Sequence, residues 1–194
     1  VTGEFIEVND RIGMLDRKLR VVGENTESRD EWIEWATVAL QGIYGFDWQG
    51  DNVLIARENI LFSVIEQYEA KFFFEENNRR HSELDSESCK NKMLKQVQHD
   101  VFLSKKQILA FAEIIAWNIW QMDGLRFVVP NSCCTKEAVE EDLFERKVVA
   151  KPCEGCKIGF GEKSRLKHNG IYCTIMNWQT GKSERFVDSL KGEK

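Results

Sequence analysis

A chain of 194 residues, 42% of them hydrophobic, is long enough for one full core and a small appended module. With 13 glycines, 2 prolines and 30% charged residues, it reads as folded helix and strand rather than as linker. A net charge of −5 argues against a dedicated nucleic-acid clamp, which needs a basic face. Nothing resembles a signal peptide, and no apolar run approaches the ~20 residues of a membrane-spanning helix, so a cytoplasmic protein with no membrane partner is expected.

In chain order, Ile12, Leu15, Leu19 and Val22 recur at helical spacing after Asp10, a candidate N-cap, and predict a helix over 10–23. Ser28 and Glu31 fit a capping box, and Trp32, Trp35, Ala36, Ala39 and Leu40 give the next helix an aromatic, buried face. Residues 42–47 are short, apolar and aromatic and close on Asp47, the pattern of a buried parallel strand. Val53, Ala56, Ile60 and Val64 then carry a long helix to about residue 71. Residues 75–103 hold no sustained period and read as an insertion or a mobile loop, with His81, Cys89 and His99 inside it. Ser104 and Gln107 make another capping box, before a helix with Ile108, Phe111, Ala112 and Ile115 on its buried stripe. Residues 118–123 form a second candidate strand closing on Asp123, and residues 127–130 a third. Beyond Asn131 a short helix after Thr135, a cysteine knuckle and a hairpin turning at 179–182 are expected. The chain thus divides into an α/β domain, 1–130, and a small Cys/His module with a β-hairpin, 131–194. No internal repeat is present.

Ligands of open α/β sheets bind beyond the carboxyl ends of the strands, where Asp47 and Asp123 are expected. One such acid can accept hydrogen bonds from ribose hydroxyls and the next from an adenine amino group, so the pair in this order suits an adenosine moiety. Each acid alone has a plainer reading as a turn former or helix cap.

Several of these words resemble the adenine-N6 DNA methyltransferases of restriction systems. Thr2-Gly3-Glu4-Phe5 is similar to the end of that family's first cofactor motif, and residues 16–19 to the helix behind it. Ile43-Tyr44-Gly45-Phe46-Asp47, with Asp51-Asn52-Val53 and Arg57-Glu58, resembles the second motif, and residues 118–125 the third. The resemblance covers roughly residues 2–74 and 104–130. It implies a partial Rossmann-like layer binding S-adenosylmethionine, with Gly3 and Phe5 beside the cofactor, Asp47 on the ribose and Asp123 on the adenine. Gly3 stands farther from Asp47 than the ~20 residues of a compact fingerprint, which the extra Trp-rich helix accounts for. The family's catalytic motif, Asn or Asp followed by Pro-Pro and an aromatic, is missing, since the 2 prolines are separated. That motif holds the flipped adenine, so no catalytic residue is assigned and no methyl transfer by this chain alone is expected. An incomplete chain, or one completed in trans, follows as the expectation. DNA would be met through the complete enzyme, with a restriction endonuclease or the missing methyltransferase portion as protein partners.

The 6 cysteines lie mostly in the last third, in a chain read as cytoplasmic, which favours thiols or metal ligands over disulfides. Cys153, Cys156, His168 and Cys173 have the spacing C-x2-C-x11-H-x4-C, which can complete a tetrahedral structural zinc site. Cys133 or Cys134 can replace Cys173 as fourth ligand, and free thiols remain an alternative to any metal. A redox CxxC would sit in a thioredoxin-like βαβ context that these residues do not supply. Lys163, Arg165 and Lys167 make a small basic patch near the cluster, a DNA contact or a solvated face. Two function classes therefore stand beside the enzyme part: a zinc-stabilised nucleic-acid or protein interaction module on an α/β scaffold, and another nucleotide-binding α/β protein.

Overall fold

The computed structural model describes residues 6–83, 102–141, 146–159 and 161–190. The protein is mixed α/β and forms two compact units, Val1–Ile43 with Ala56–Ala116, and Tyr44–Ile55 with Trp117–Lys194. These units divide the chain elsewhere than at residue 130, and they group both parallel strands with the cysteine-rich segment. Gly3, Phe5, Cys89 and His99 lie outside the described residues. Among the described residues no helix is long and apolar enough to cross a membrane.

The first unit is helical. Helix α1 spans Met14–Asn25, later than expected, and Asp10 lies in a separate 3-10 turn, Val8–Asp10, instead of capping it. Helix α2, Arg29–Gln41, is capped by Ser28, whose hydroxyl accepts from the Glu31 amide at 3.3 Å. The Glu31 carboxylate returns to the amide of Glu27, so the reciprocal bond closes one residue earlier than in a regular box. The buried stripe of α2 is Trp32, Ala36 and Leu40, a strict i, i+4 row, and this leaves Trp35 on the flank, 54% exposed. Helix α3 runs over Gly50–Glu83, well past the break expected at 75. Residues 66–83 contain neither Gly nor Pro to stop it, and their charged residues are good helix formers.

Val64, Tyr68 and Phe72 of α3 form the row that meets α2, with the Tyr68 and Phe72 rings edge-on to Trp32 at 5.2 and 6.5 Å between centroids. Lys71 donates to the carbonyls of Gly23 and Thr26, satisfying groups at the end of α1 that have no helical partner. Helix α4, Lys105–Asn118, opens on the expected reciprocal box: Ser104 N to Gln107 Oε1 at 2.7 Å, and Gln107 N to Ser104 Oγ at 3.3 Å. Phe111, Ile114 and Ile115 are its buried residues in this unit.

In the second unit, β1 (Gly45–Asp47) and β2 (Ile119–Gln121) pair in parallel, with Asp47 opposite Gln121. The pairing is close at Gly45, where a Cβ would lie 3.0 Å from Cδ1 of Ile119. Met122, Phe127, Cys173, Ile175 and Val187 form the buried cluster, with the rings of Phe46 and Phe186, tilted at 45° and 4.5 Å between centroids, packed against it.

Residues 136–141, where a helix was expected, form β3 (Lys136–Glu141), antiparallel to β4 (Arg146–Lys151). Val139 stands opposite Val148 in the register, and a non-local pairing of this kind overrides a weak local preference. Two short helices follow, α5 (Glu154–Ile158) and α6 (Glu162–Arg165). The expected hairpin is present as β5 (Thr174–Asn177) and β6 (Lys182–Arg185), turning through Gly181 at φ 66°, and α7 (Phe186–Ser189) follows it. Residues 127–130 are not a strand. Only Val128 bridges Tyr172, because Pro130 has no amide to donate and Phe127 and Asn131 stand at φ 62° and 60°. Left-handed backbone at a residue as large as Phe127 costs about 1–3 kcal/mol and persists only where its surroundings over-determine it.

Candidate metal centre and the strand-end acids

Cys133, Cys153, Cys156 and His168 converge, their ligand atoms all within 4.8 Å of one another, and this group could hold a metal ion. The knuckle sits at the start of α5, with Cys153 just before it and Cys156 inside it. His168 Nδ1 lies 3.6 Å from Cys133 Sγ, 3.6 Å from Cys153 Sγ and 3.7 Å from Cys156 Sγ. A tetrahedral ion with bonds of about 2.3 Å to sulfur and 2.0–2.1 Å to nitrogen requires sulfur–nitrogen edges of about 3.6 Å. With Nδ1 toward the sulfurs, the ring proton belongs on Nε2, which is buried and has no hydrogen-bond partner among the described residues.

The surroundings hold each ligand. The Cys153 sulfur accepts from the Asn169 amide at 3.4 Å, and the Gly155 amide donates to the Lys167 carbonyl at 3.0 Å. The His168 amide donates to the Tyr172 hydroxyl at 3.0 Å, which in turn donates to the Arg165 carbonyl at 2.9 Å. Asn169 ties the third ligand segment in, donating to the Cys134 carbonyl at 2.7 Å and accepting from its amide at 3.2 Å. Without a cation, Cys153 and Cys133 shift in opposite directions. Burial raises Cys153, but amide donors from Asn169 and Cys156 and the His168 contact outweigh it and bring it down to about 6. Burial and hydrogen bonding to Cys153 and Cys156 push Cys133 up to about 12. A divalent cation would take both as thiolate, the ligand form.

The structure therefore brings Cys133, rather than Cys173, to Cys153, Cys156 and His168. Cys173 is 1% exposed inside the apolar cluster of Met122, Phe127, Ile175 and Val187, and burial pushes its thiol up to about 12. Cys134 is exposed and outside the group. A raised thiol pKa leaves little thiolate at neutral pH, so alkylation with iodoacetamide at pH 8, followed by peptide mass mapping, should modify exposed Cys134 well before buried Cys173. Early labelling of Cys173 would contradict its placement. Within the basic patch, Arg165 stacks on the Phe127 ring at 4.9 Å and Lys167 pairs with Glu154 at 2.6 Å, so both are engaged in internal contacts.

Asp47 ends β1, and its Oδ1 accepts from the Gln49 amide at 2.7 Å and from Asn52 at 3.3 Å. Asp123, two residues beyond β2 and 4% exposed, accepts from the amides of Leu125 and Arg126 through Oδ1, at 2.9 and 3.3 Å, and faces Arg126 at 3.6 Å through Oδ2. Both acids thus form their own turns, as the plainer reading expected, while standing at the carboxyl ends of neighbouring strands. Compared with family models, with curated proteins and with solved structures, the chain shows no match.

Proposed function

We propose that this chain is the S-adenosylmethionine-binding portion of a site-specific DNA adenine-N6 methyltransferase, with a structural zinc ion in its Cys3His group. The observation that carries the first half is the parallel pairing of β1 and β2, with Asp47 and Asp123 at the same end of adjacent strands, in the order of the family's second and third cofactor motifs. Asp47 is the ribose acceptor in this reading and Asp123 the adenine acceptor. The residues do not include the family's Pro-Pro-aromatic motif, so adenine capture and methyl transfer fall to protein outside this chain. DNA is then a partner of the complete enzyme, which is cytoplasmic in this reading.

Zinc is the ion of choice because three thiolates and one imidazole at tetrahedral spacing are its usual structural donor set, while calcium and magnesium take oxygen. The same cluster favours a second reading, in which residues 131–194 are a zinc-stabilised interaction module and the α/β part is only a scaffold.

Calorimetric titration of S-adenosylhomocysteine into the zinc-loaded chain separates the two. Saturable binding is expected, weakened roughly ten- to a hundred-fold by Asp47→Ala or Asp123→Ala, the usual consequence of losing a hydrogen bond to a charged group. Asp123→Asn, whose amide oxygen can still hold the turn, distinguishes loss of the acceptor charge from loss of the turn. A folded, zinc-loaded chain that binds no nucleoside would favour the interaction module. A preference for NAD would point to another nucleotide-binding α/β protein.

A further inference from the structure

The turn that carries Asp123 is closed on itself: the Asp123 amide donates to Val128 O at 2.8 Å, and the Phe127 amide donates to Asp123 O at 2.7 Å. Its exit segment is held against residues 171–173 by Val129 N to Ile171 O at 2.8 Å, by Cys173 N to Phe127 O at 3.4 Å and by the Val128–Tyr172 bridge. Each side of this short pairing leads within a few residues to a ligand of the Cys3His group, Cys133 on one side and His168 on the other. Between them, Ile171 N donates to Ser132 Oγ at 3.0 Å, and Ser132 Oγ donates to Val129 O at 2.6 Å. A Cβ at Gly170 would lie 2.5 Å from Ser132 Oγ and 3.0 Å from Cys133 Sγ, so the two segments are in close contact beside the metal group.

We propose that the ion bound by Cys133, Cys153, Cys156 and His168 is a staple for the Asp123 turn, locking residues 127–133 to residues 168–173. The proposal rests on the zinc reading above and gives the ion a part in shaping one of the two strand-end acids. Two features favour a staple. The segment contains two non-glycine residues in left-handed backbone, Phe127 and Asn131, which local preference alone would release. And the ligand choice decides what is stapled: Cys173 as fourth ligand would leave residues 131–135 held to residues 169–171 by hydrogen bonds alone, whereas Cys133 adds a bond to the ion. The four protein donors leave no open coordination position, so the ion's role is mechanical.

The test uses the full chain. Zinc content is measured by elemental mass spectrometry, and the donor set by cobalt(II) substitution. Amide exchange is followed before and after removal of the metal by a chelator. One zinc per chain is expected for the unaltered protein, for Cys134→Ser and for Cys173→Ala, with thiolate-to-cobalt charge transfer in each. Cys133→Ser should weaken the metal at least about 100-fold, since losing a ligand should cost no less than losing a group that only orients one. Removing the metal from the unaltered chain should speed exchange at Asp123, Phe127 and Val129 at least about tenfold, while Phe111 in the helical unit and Gly181, whose amide donates to Asn177 O in the β5–β6 hairpin, keep their protection and show both units still folded. Full zinc in Cys133→Ser, or unchanged exchange at Asp123 and Val129 after removal, overturns the staple while zinc itself stands. An unaltered chain that takes up no zinc overturns the zinc reading and the staple together. Neither outcome decides the cofactor reading, which the S-adenosylhomocysteine titration tests separately.

Discussion

Replacing Gly155 with alanine is expected to strip the metal from the chain. A Cβ at this buried position would lie 2.7 Å from Cγ, 2.7 Å from Nδ1 and 2.8 Å from Cε1 of His168, closer than real Cβ atoms come to a ring. The ring has no room to retreat, because the His168 amide is fixed to the Tyr172 hydroxyl and Nδ1 faces all three sulfurs. The knuckle cannot retreat either without breaking the Gly155 amide bond to the Lys167 carbonyl. Knuckle and imidazole must therefore separate, and a site built for four ligands within 4.8 Å loses its geometry. We expect zinc affinity to fall at least about 100-fold, read by competition with a chromophoric chelator. Gly124→Ala is the matched control, since a Cβ there meets nothing within 4 Å and should leave affinity unchanged. Equal affinity in Gly155→Ala would mean that His168 is not a ligand.

The need for glycine at 155 shows why the knuckle was legible in the sequence and the complete site was not. Cys153 and Cys156 are close in the chain, and a C-x2-C spacing with glycine between already describes a chain that wraps an ion. The fourth ligand depends on a non-local pairing. Cys133 reaches the knuckle because β3 and β4 pair across residues 136–151, a hairpin whose first strand reads locally as the start of a helix. Proximity in sequence favoured Cys173 instead, and the alternation that marks β5 could equally have flagged it as an inward-facing core residue. The same division runs through the fold. Caps are written in four residues, so Ser28 and Ser104 were readable. Each parallel strand was readable from its apolar run and closing acid, but Asp47 standing opposite Gln121 is a matter of register that no local pattern contains. The Trp35 misreading is of a third kind: the sequence shows helical periodicity, but whether a flank position is buried depends on how wide a face the neighbouring helices cover.

Trp32→Ala is expected to destabilise the helical unit by about 3–5 kcal/mol, the range for removing a large aromatic from a packed core. Trp32 is 0% exposed and stands at the meeting point of α2 and α3, with Tyr68 and Phe72 presenting their rings edge-on to it. Those two rings also pack on each other at 4.9 Å, so deleting the indole removes the common partner of a three-ring cluster. Collapse into the vacated space is restricted, because the chain on each side of the cavity is held elsewhere. Lys71 is tied to the end of α1, and Ser28 caps α2 one turn from Trp32. Against a total stability of about 5–15 kcal/mol for an ordinary domain, such a loss should move the urea midpoint far toward zero. Trp35→Ala removes the same side chain from a position 54% exposed and should shift the midpoint by much less. The pair is informative because composition and helical propensity are identical between the two variants, so only burial can separate them. Equal midpoints would place the wrong face of α2 in the core.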